Sequence, residues 1–244
     1  APYLTEGRKT YSGELLLGVE TDTWDIQGAV VAEKPAPDDP AAVKSAILEW
    51  GDLTEQEVPA YSAAKHQGKP LYALARAGAD VPVKTKLIEI FAVEPLDAEP
   101  PRAEFRVTCS AGTYIRSLVH SLGTRMGCGA VLTRLTREAS EPFRLDAAHS
   151  LDDVLDDADG LDERIIPLAR ALPHFRRCVL AAGDAVKVRN GARLPAAIVA
   201  GDGPAPHAGE RAMFLDADGS PLALAEAALS GGDLEWRILR GLWT

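Results

Sequence analysis

The chain has 244 residues, 46% hydrophobic and 25% charged, with a formal net charge of −10. That length fits one large domain or a medium domain with a small one, and the composition is that of a soluble globular protein. No apolar run approaches the roughly 20 residues that a bilayer span requires, and the first ten residues (APYLTEGRKT) lack the apolar core of a signal peptide. Cys109, Cys128 and Cys178 show neither zinc-site spacing nor an even count for a disulfide framework. They read as buried, reduced thiols of a cytosolic protein.

The acidity is unevenly spread. Residues 1–59 carry 4 basic and 12 acidic side chains and residues 151–164 carry 1 and 7, whereas residues 60–150 carry 12 and 9 and residues 165–244 carry 9 and 8. Phosphate binding needs positive surface. The net charge argues against nucleic acid, yet the mildly basic central block permits an RNA face without requiring one.

Residues 10–19 (TYSGELLLGV) are rich in β-formers and predict a strand, with a second over 28–33 beyond the loop-like Thr21-Asp22-Thr23-Trp24-Asp25. Asp38-Asp39-Pro40 supplies an N-cap and a first-turn proline. It predicts a helix to about residue 50 with Val43, Ile47 and Trp50 facing the core. Residues 86–93 and 103–108 predict a hairpin across Pro100-Pro101. Residues 112–126 (GTYIRSLVHSLGTRM) follow helical spacing, with Ile115, Leu118, Val119 and Leu122 on one face and Gly127 and Gly129 as the stop. A strand is predicted over 130–139. The five aspartates in residues 152–159 read as a solvated linker in preference to a metal site. From about residue 172, short strands over 178–180, 185–188, 211–215 and 236–239, punctuated by Asn190-Gly191 and Asp218-Gly219 turns, suit a small β-barrel. The expected fold class is α+β: a mixed, mainly antiparallel sheet with a β-rich appendage. There is no internal repeat and no dinucleotide or P-loop glycine pattern.

Four blocks, in order, carry a resemblance. The first runs Lys9-Thr10-Tyr11, Leu17-Gly18, Thr21-Asp22-Thr23 and Asp25 with Gln27-Gly28. The second is residues 59–72 (PAYSAAKHQGKPLY) with Ala75-Arg76-Ala77-Gly78, and the third is residues 109–116 (CSAGTYIR) with Leu122-Gly123. The fourth is Cys128-Gly129-Ala130 with Leu132, Leu135 and Arg137. Each is weak alone, but together, in this order and spacing, they resemble the TruB family of tRNA pseudouridine synthases. The tail resembles that family's small PUA-like barrel in outline.

The resemblance implies a pseudouridine synthase catalytic domain, N-terminally incomplete, over 1–171, with an RNA-gripping loop over 59–82. It implies a PUA-like RNA-binding domain over 172–244. The implied activity is isomerisation of the T-loop uridine of tRNA (position 55) to pseudouridine. The enzyme would be a cytoplasmic monomer that binds the tRNA T-arm, with no cofactor, metal, membrane or obligate protein partner. The family's catalytic aspartate lies in a turn of the form G-[TA]-L-D-P-x-A-x-G, upstream of the strand carrying Tyr11. No such sequence occurs among these residues. The expectation is therefore a chain that lacks its N-terminal segment and is inactive alone.

In this reading Arg116 is the ion-pair partner of the absent aspartate, because its donors can hold a carboxylate bidentately and keep it ionised. Tyr11 resembles the active-site tyrosine, whose ring can stack on a flipped base and whose hydroxyl can relay a proton. Tyr114 would line the same pocket, with packing as the alternative. Leu135 matches the pocket leucine, with ordinary core as the alternative. Lys65, Lys69 and Arg76 are spaced to contact phosphates, while Tyr61 and Tyr72 offer stacking surface; a solvated helix–turn is the other reading. His66 has no step in this chemistry. Three functions are open: a tRNA pseudouridine synthase, a module that grips tRNA without modifying it, and an unrelated α+β protein sharing motifs by accident.

Overall fold

The computed structural model of the chain describes residues 2–157, 160–199 and 204–242. The chain divides into two compact units, Ala1–Ala148 and His149–Thr244; the boundary read from sequence, between 171 and 172, lies further along.

In the first unit α1 (Pro2–Thr5) leads into β1 (Lys9–Leu17). There follow β2 (Val19–Thr21), β3 (Val30–Glu33), α2 (Pro40–Leu48), β4 (Glu55–Glu57), β5 (Lys65–His66), β6 (Lys69–Pro70), α3 (Leu71–Arg76) and β7 (Thr85–Leu87). Then come β8 (Ile90–Glu99), β9 (Arg102–Cys109), α4 (Ile115–Arg125), β10 (Ala130–Ser140) and β11 (Phe143–Arg144). The main sheet runs β11-β10-β1-β9-β8 and is antiparallel throughout.

Alternation decides its inner face. Gly13, Leu15 and Leu17 of β1 are buried, and so are Ala103, Phe105 and Val107 of β9. Helix α2 and the turn after it lay Val43, Ile47 and Trp50 on that face, as their spacing predicts. Trp50 meets Phe105 edge-on, ring centroids 4.9 Å apart. Asp39 starts α2 by accepting from the amides of Ala41 (2.9 Å) and Ala42 (3.1 Å); such a cap is worth about 1 kcal/mol. Helix α4 covers the same core with Ile115, Leu118, Val119 and Leu122. It begins at Ile115, later than spacing alone predicts, because Gly112 is left-handed (φ +79°) and Thr113 turns back onto the Ser110 carbonyl at 2.9 Å. A Cβ at Gly123 would stand 2.1 Å from the Ala130 nitrogen, so only glycine lets α4 lie this close to β10. On the opposite face of the sheet, Arg106 bridges Glu94 (2.8 Å) and Glu138 (2.9 Å), and Arg102 and Arg134 pair with Glu14 and Glu104. The predicted strand over 86–93 is in fact two, because β7 pairs with β4 while β8 joins the main sheet.

The second unit contains α5 (Leu151–Asp156), α6 (Leu161–Arg164), α7 (Leu168–Ala171), β12 (Arg176–Val179), α8 (Ala182–Arg189), β13 (Leu194–Pro195), β14 (Arg211–Leu215), β15 (Pro221–Ser230) and β16 (Asp233–Gly241). Its sheet runs β12-β14-β15-β16-β13, with only β12 and β14 parallel. Phe214 packs edge-on against Trp236 in its core, at 5.9 Å. One sequence expectation needs correction here, and one strand was not predicted. Residues 185–188 are helical, not a strand: Ala185 and Val188 are buried one helical turn apart in α8, and Gly191 (φ +77°) ends a helix instead of turning a hairpin. The alanine-rich β15 (PLALAEAALS) is a full strand, because the Asp218-Gly219 turn folds it back on β14 and overrides weak β-propensity. Together the units make a mixed α+β fold built on mainly antiparallel sheets.

Candidate active site

Arg116 is the second residue of α4 and half-buried. Its Nη1 donates to the Thr23 carbonyl at 3.1 Å and its Nη2 to the Tyr61 carbonyl at 3.0 Å. One side chain thus joins the loop between β2 and β3 to the segment entering β5. Among the described residues Arg116 forms no ion pair.

The β2–β3 loop is closely determined. Thr21 Oγ1 donates to the Asp25 carbonyl (2.8 Å), and Asp22 accepts from the Ala29 amide (2.8 Å) and, at 3.4 Å, from the Tyr61 hydroxyl. The Ile26 amide donates to the Leu132 carbonyl (2.9 Å) and the Leu132 amide to the Trp24 carbonyl (3.2 Å), which ties the loop to β10. Trp24 has φ +61° and stacks on His120 of α4, centroids 4.2 Å apart. A cleft of about 370 Å³ opens beside this pair, lined also by Gln56, Glu57 and Ser117. Burial lowers the His120 pKa, against the pull of Glu20 and Glu57.

Sheet register places a second group. Tyr11 stands opposite Val107 and Arg137, and Gly13 opposite Phe105 and Leu135. Tyr11, Leu135 and Arg137 therefore share the core-side face, at its rim. Leu135 is 42% exposed and lies outside the buried core of the sheet. Arg137, facing Tyr11 across the strand pair, favours the ionised phenol. Burial, and then Cys109, nevertheless push its pKa above the ordinary phenol value, so it is protonated at neutral pH. Lys9, on the same face, is buried and donates to the carbonyls of Gly7 (2.6 Å) and Thr5 (3.2 Å). Burial, then Arg137, lower its pKa.

The loop residues form a third group. Lys65 and Lys69 flank the β5–β6 turn, in which Gln67 and Gly68 have positive φ, and both side chains are exposed. Arg76 lies over the Tyr72 ring at 5.5 Å, and Leu71, fully buried, anchors α3 beneath them. Tyr114 is held through its backbone, exchanging hydrogen bonds of 2.6 and 3.2 Å with the Gln56 amide. Among the described residues no hydrogen bond or ring contact joins the Lys65, Lys69, Tyr72 or Arg76 side chains to Tyr11 or Arg116; the link is the Tyr61 carbonyl.

Sequence reasoning missed that Arg137 faces Tyr11 across the sheet, and that Thr23, Trp24 and His120 form the seat of Arg116. The i, i+4 spacing of Arg116 and His120 was the available signal. Among the described residues no group of three or more His, Cys, Asp or Glu side chains could hold a metal ion. The arrangement offers a guanidinium able to receive an anion, a neutral phenol, and an exposed basic turn beside an aromatic ring.

Residues 1–115 match the family model described as TruB family pseudouridylate synthase (N terminal domain), and residues 116–173 match tRNA pseudouridylate synthase B C-terminal domain. The chain belongs to the TruB family. A relative from Nitratidesulfovibrio vulgaris (strain Miyazaki F), named tRNA pseudouridine synthase B, is 49% identical over 246 residues, covering 99% of this chain and 79% of its own length. One of the same name from Geobacter sulfurreducens is 36% identical, covering 100% and 77%. Among solved structures, an H/ACA RNP bound to a substrate RNA containing 2'-deoxyuridine gives a TM-score of 0.66 at 19% identity, covering 100% of this chain and 68% of that one. An archaeal box H/ACA sRNP Nop10-Cbf5 complex gives 0.64 at 20% identity, covering 99% and 68%. At those identities the structures show a shared fold.

Proposed function

We infer that the TruB-family site of this chain isomerises uridine to pseudouridine in tRNA, at the T-loop uridine (position 55). The observation that carries the reading is Arg116: a half-buried guanidinium anchored on two main-chain carbonyls, with no ion pair among the described residues, on the GTYIR segment of a TruB-family chain. Relatives named tRNA pseudouridine synthase B, matched over nearly the whole chain, support the substrate.

In this reaction the N1–C1′ bond breaks, the base turns, and C5 bonds to C1′. C5 then gives up its proton and N1 gains one. The uridine must leave its stack first, at a cost of a few kcal/mol. A carboxylate opens the glycosidic step as nucleophile or base, and Arg116 keeps it ionised and aimed. Tyr11, a neutral phenol facing Arg137, stacks on the flipped base and relays the C5 proton. Leu135 and Tyr114 complete the pocket wall. Lys65, Lys69, Tyr72 and Arg76 hold the T-arm through phosphates and stacking. The second unit serves as a PUA-like RNA-binding domain, and the enzyme works as a cytoplasmic monomer without cofactor.

The catalytic carboxylate then belongs to a G-[TA]-L-D-P-x-A-x-G turn, a sequence not found among these 244 residues. The test is tritium release from a T-arm hairpin labelled at uridine C5. The 244-residue polypeptide should bind the hairpin and release nothing, while a protein that also carries that turn should release tritium. Release by the 244 residues alone would overturn the assignment of the carboxylate. No release by the longer protein would overturn the reaction.

A further inference from the structure

The seat of Arg116 has a second part that the chemistry above does not use. Arg116 and His120 stand at i and i+4 on α4 and so emerge from one side of the helix. They grip consecutive residues of the β2–β3 loop. Arg116 donates to the Thr23 carbonyl at 3.1 Å, and His120 lies flat on the Trp24 indole, centroids 4.2 Å apart and planes 7° apart.

Trp24 needs such a grip. Its φ of +61° is a conformation that a bulky residue adopts only where its surroundings impose it. The Thr23 carbonyl and the Trp24 nitrogen share one peptide plane. Relaxing Trp24 toward negative φ would therefore turn that carbonyl away from Arg116. The Leu132 amide holds Trp24 at its carbonyl (3.2 Å) and the Trp24 amide donates to the Thr21 carbonyl at a long 3.3 Å; the ring stacked on the indole is His120. The imidazole Nδ1 is buried with no hydrogen-bond partner among the described residues.

We propose that His120 is a positioning residue for Arg116: by clamping Trp24 it fixes the Thr23 carbonyl, and with it the direction in which the guanidinium presents its remaining donors. This rests on the role of Arg116 inferred above.

The test is a double-mutant cycle in the protein that carries the catalytic turn, read by tritium release, hairpin affinity and thermal melting. His120→Ala should lower kcat by about 10- to 100-fold, the range expected when a reacting group is misplaced by an ångström or less, with KM and hairpin affinity unchanged. His120→Phe, which keeps a flat ring, should recover most of the loss. In an Arg116→Lys background His120→Ala should add little, because two residues acting through one contact are not additive. Unchanged kcat in His120→Ala, or an equal loss in both backgrounds, overturns the proposal and leaves the role of Arg116 standing. Normal turnover in Arg116→Ala overturns both. If His120→Ala fails to fold, Trp24→Ala attacks the clamp from the loop side and is read in the same way.

Discussion

The two units treat their polar groups differently. In the second, charges close on partners: Arg176 and Glu210, each with a side chain 17% exposed, meet at 2.6 Å. That hydrogen bond holds the Glu210 carboxyl below the ordinary range, and Glu210 also accepts from the His207 amide. Among the described residues no non-glycine position of this unit has positive φ. The first unit contains the exceptions: left-handed Trp24 and Gln67, the unpartnered Nδ1 of His120, a buried Lys9 resting on carbonyls, and Arg116 with no ion pair among the described residues. The cores do not make this difference, since each leaves one indole nitrogen unpartnered, at Trp50 and Trp236. It lies in the loops around α4. Local rules are broken where a site must be shaped, and the contrast points to the first unit as the place of the chemistry.

The largest expected effects test that contrast directly. Trp50→Ala and Trp236→Ala each remove a fully buried indole and should each cost about 3–5 kcal/mol in urea unfolding. In the protein that carries the catalytic turn, only Trp50→Ala should abolish tritium release at saturating hairpin. An equal loss in Trp236→Ala would break the comparison. Next in size, Arg116→Ala should reduce kcat by roughly 10²–10³-fold, the scale on which a preorganised charged donor acts, while hairpin affinity changes little. A drop confined to affinity would move Arg116 from the chemistry to the grip.

The same contrast explains what was legible in the sequence. The elements of the first unit were readable because burial and period agree: Val43, Ile47 and Trp50 fall where helical spacing puts them, and Ile115, Leu118, Val119 and Leu122 do likewise. The Pro100-Pro101 hairpin follows from chemistry that tolerates little else. The second unit was harder. Its α8 carries Val186 and Val188, and its β15 is alanine-rich, so local propensity points the wrong way in both; tertiary pairing decides. Within the candidate site, residue types and motif order pointed to Arg116 and Tyr11, but not to what surrounds them. That Arg137 faces Tyr11 depends on a register shift between Thr10 and Tyr11, and that Trp24 meets His120 depends on a single left-handed residue. Neither has a composition signal.

A smaller effect would sharpen the division within the first unit. Replacing Lys65, Lys69 and Arg76 together by alanine should weaken hairpin binding and flatten its salt dependence by roughly 2–3 in slope, at about 0.9 or less per phosphate lost. Because Arg76 also lies over Tyr72, Arg76→Lys should keep the slope while losing part of the affinity. An unchanged slope in the triple variant would show that this turn does not touch phosphate.

The smallest effect concerns the well-paired unit and is seen only at high pH. Burial pushes the Cys178 thiol from the ordinary 9.0 up to about 11, with Arg176 pulling it down and Glu210 pushing it further up. A thiol whose folded pKa is raised favours the fold while it stays protonated. Its contribution is complete below pH 9.0 and is lost as pH rises from there through about 11, because the unfolded chain releases its proton first. Thermal melting of the intact chain should therefore fall between those pH values. Cys178→Ala should melt lower at pH 7, through lost packing, yet decline less steeply above pH 9.0. Parallel declines in both proteins would locate the alkaline weakness in the first unit instead, where burial also raises Cys109 and Tyr11. The contrast between the units would then extend from their loops to their titration.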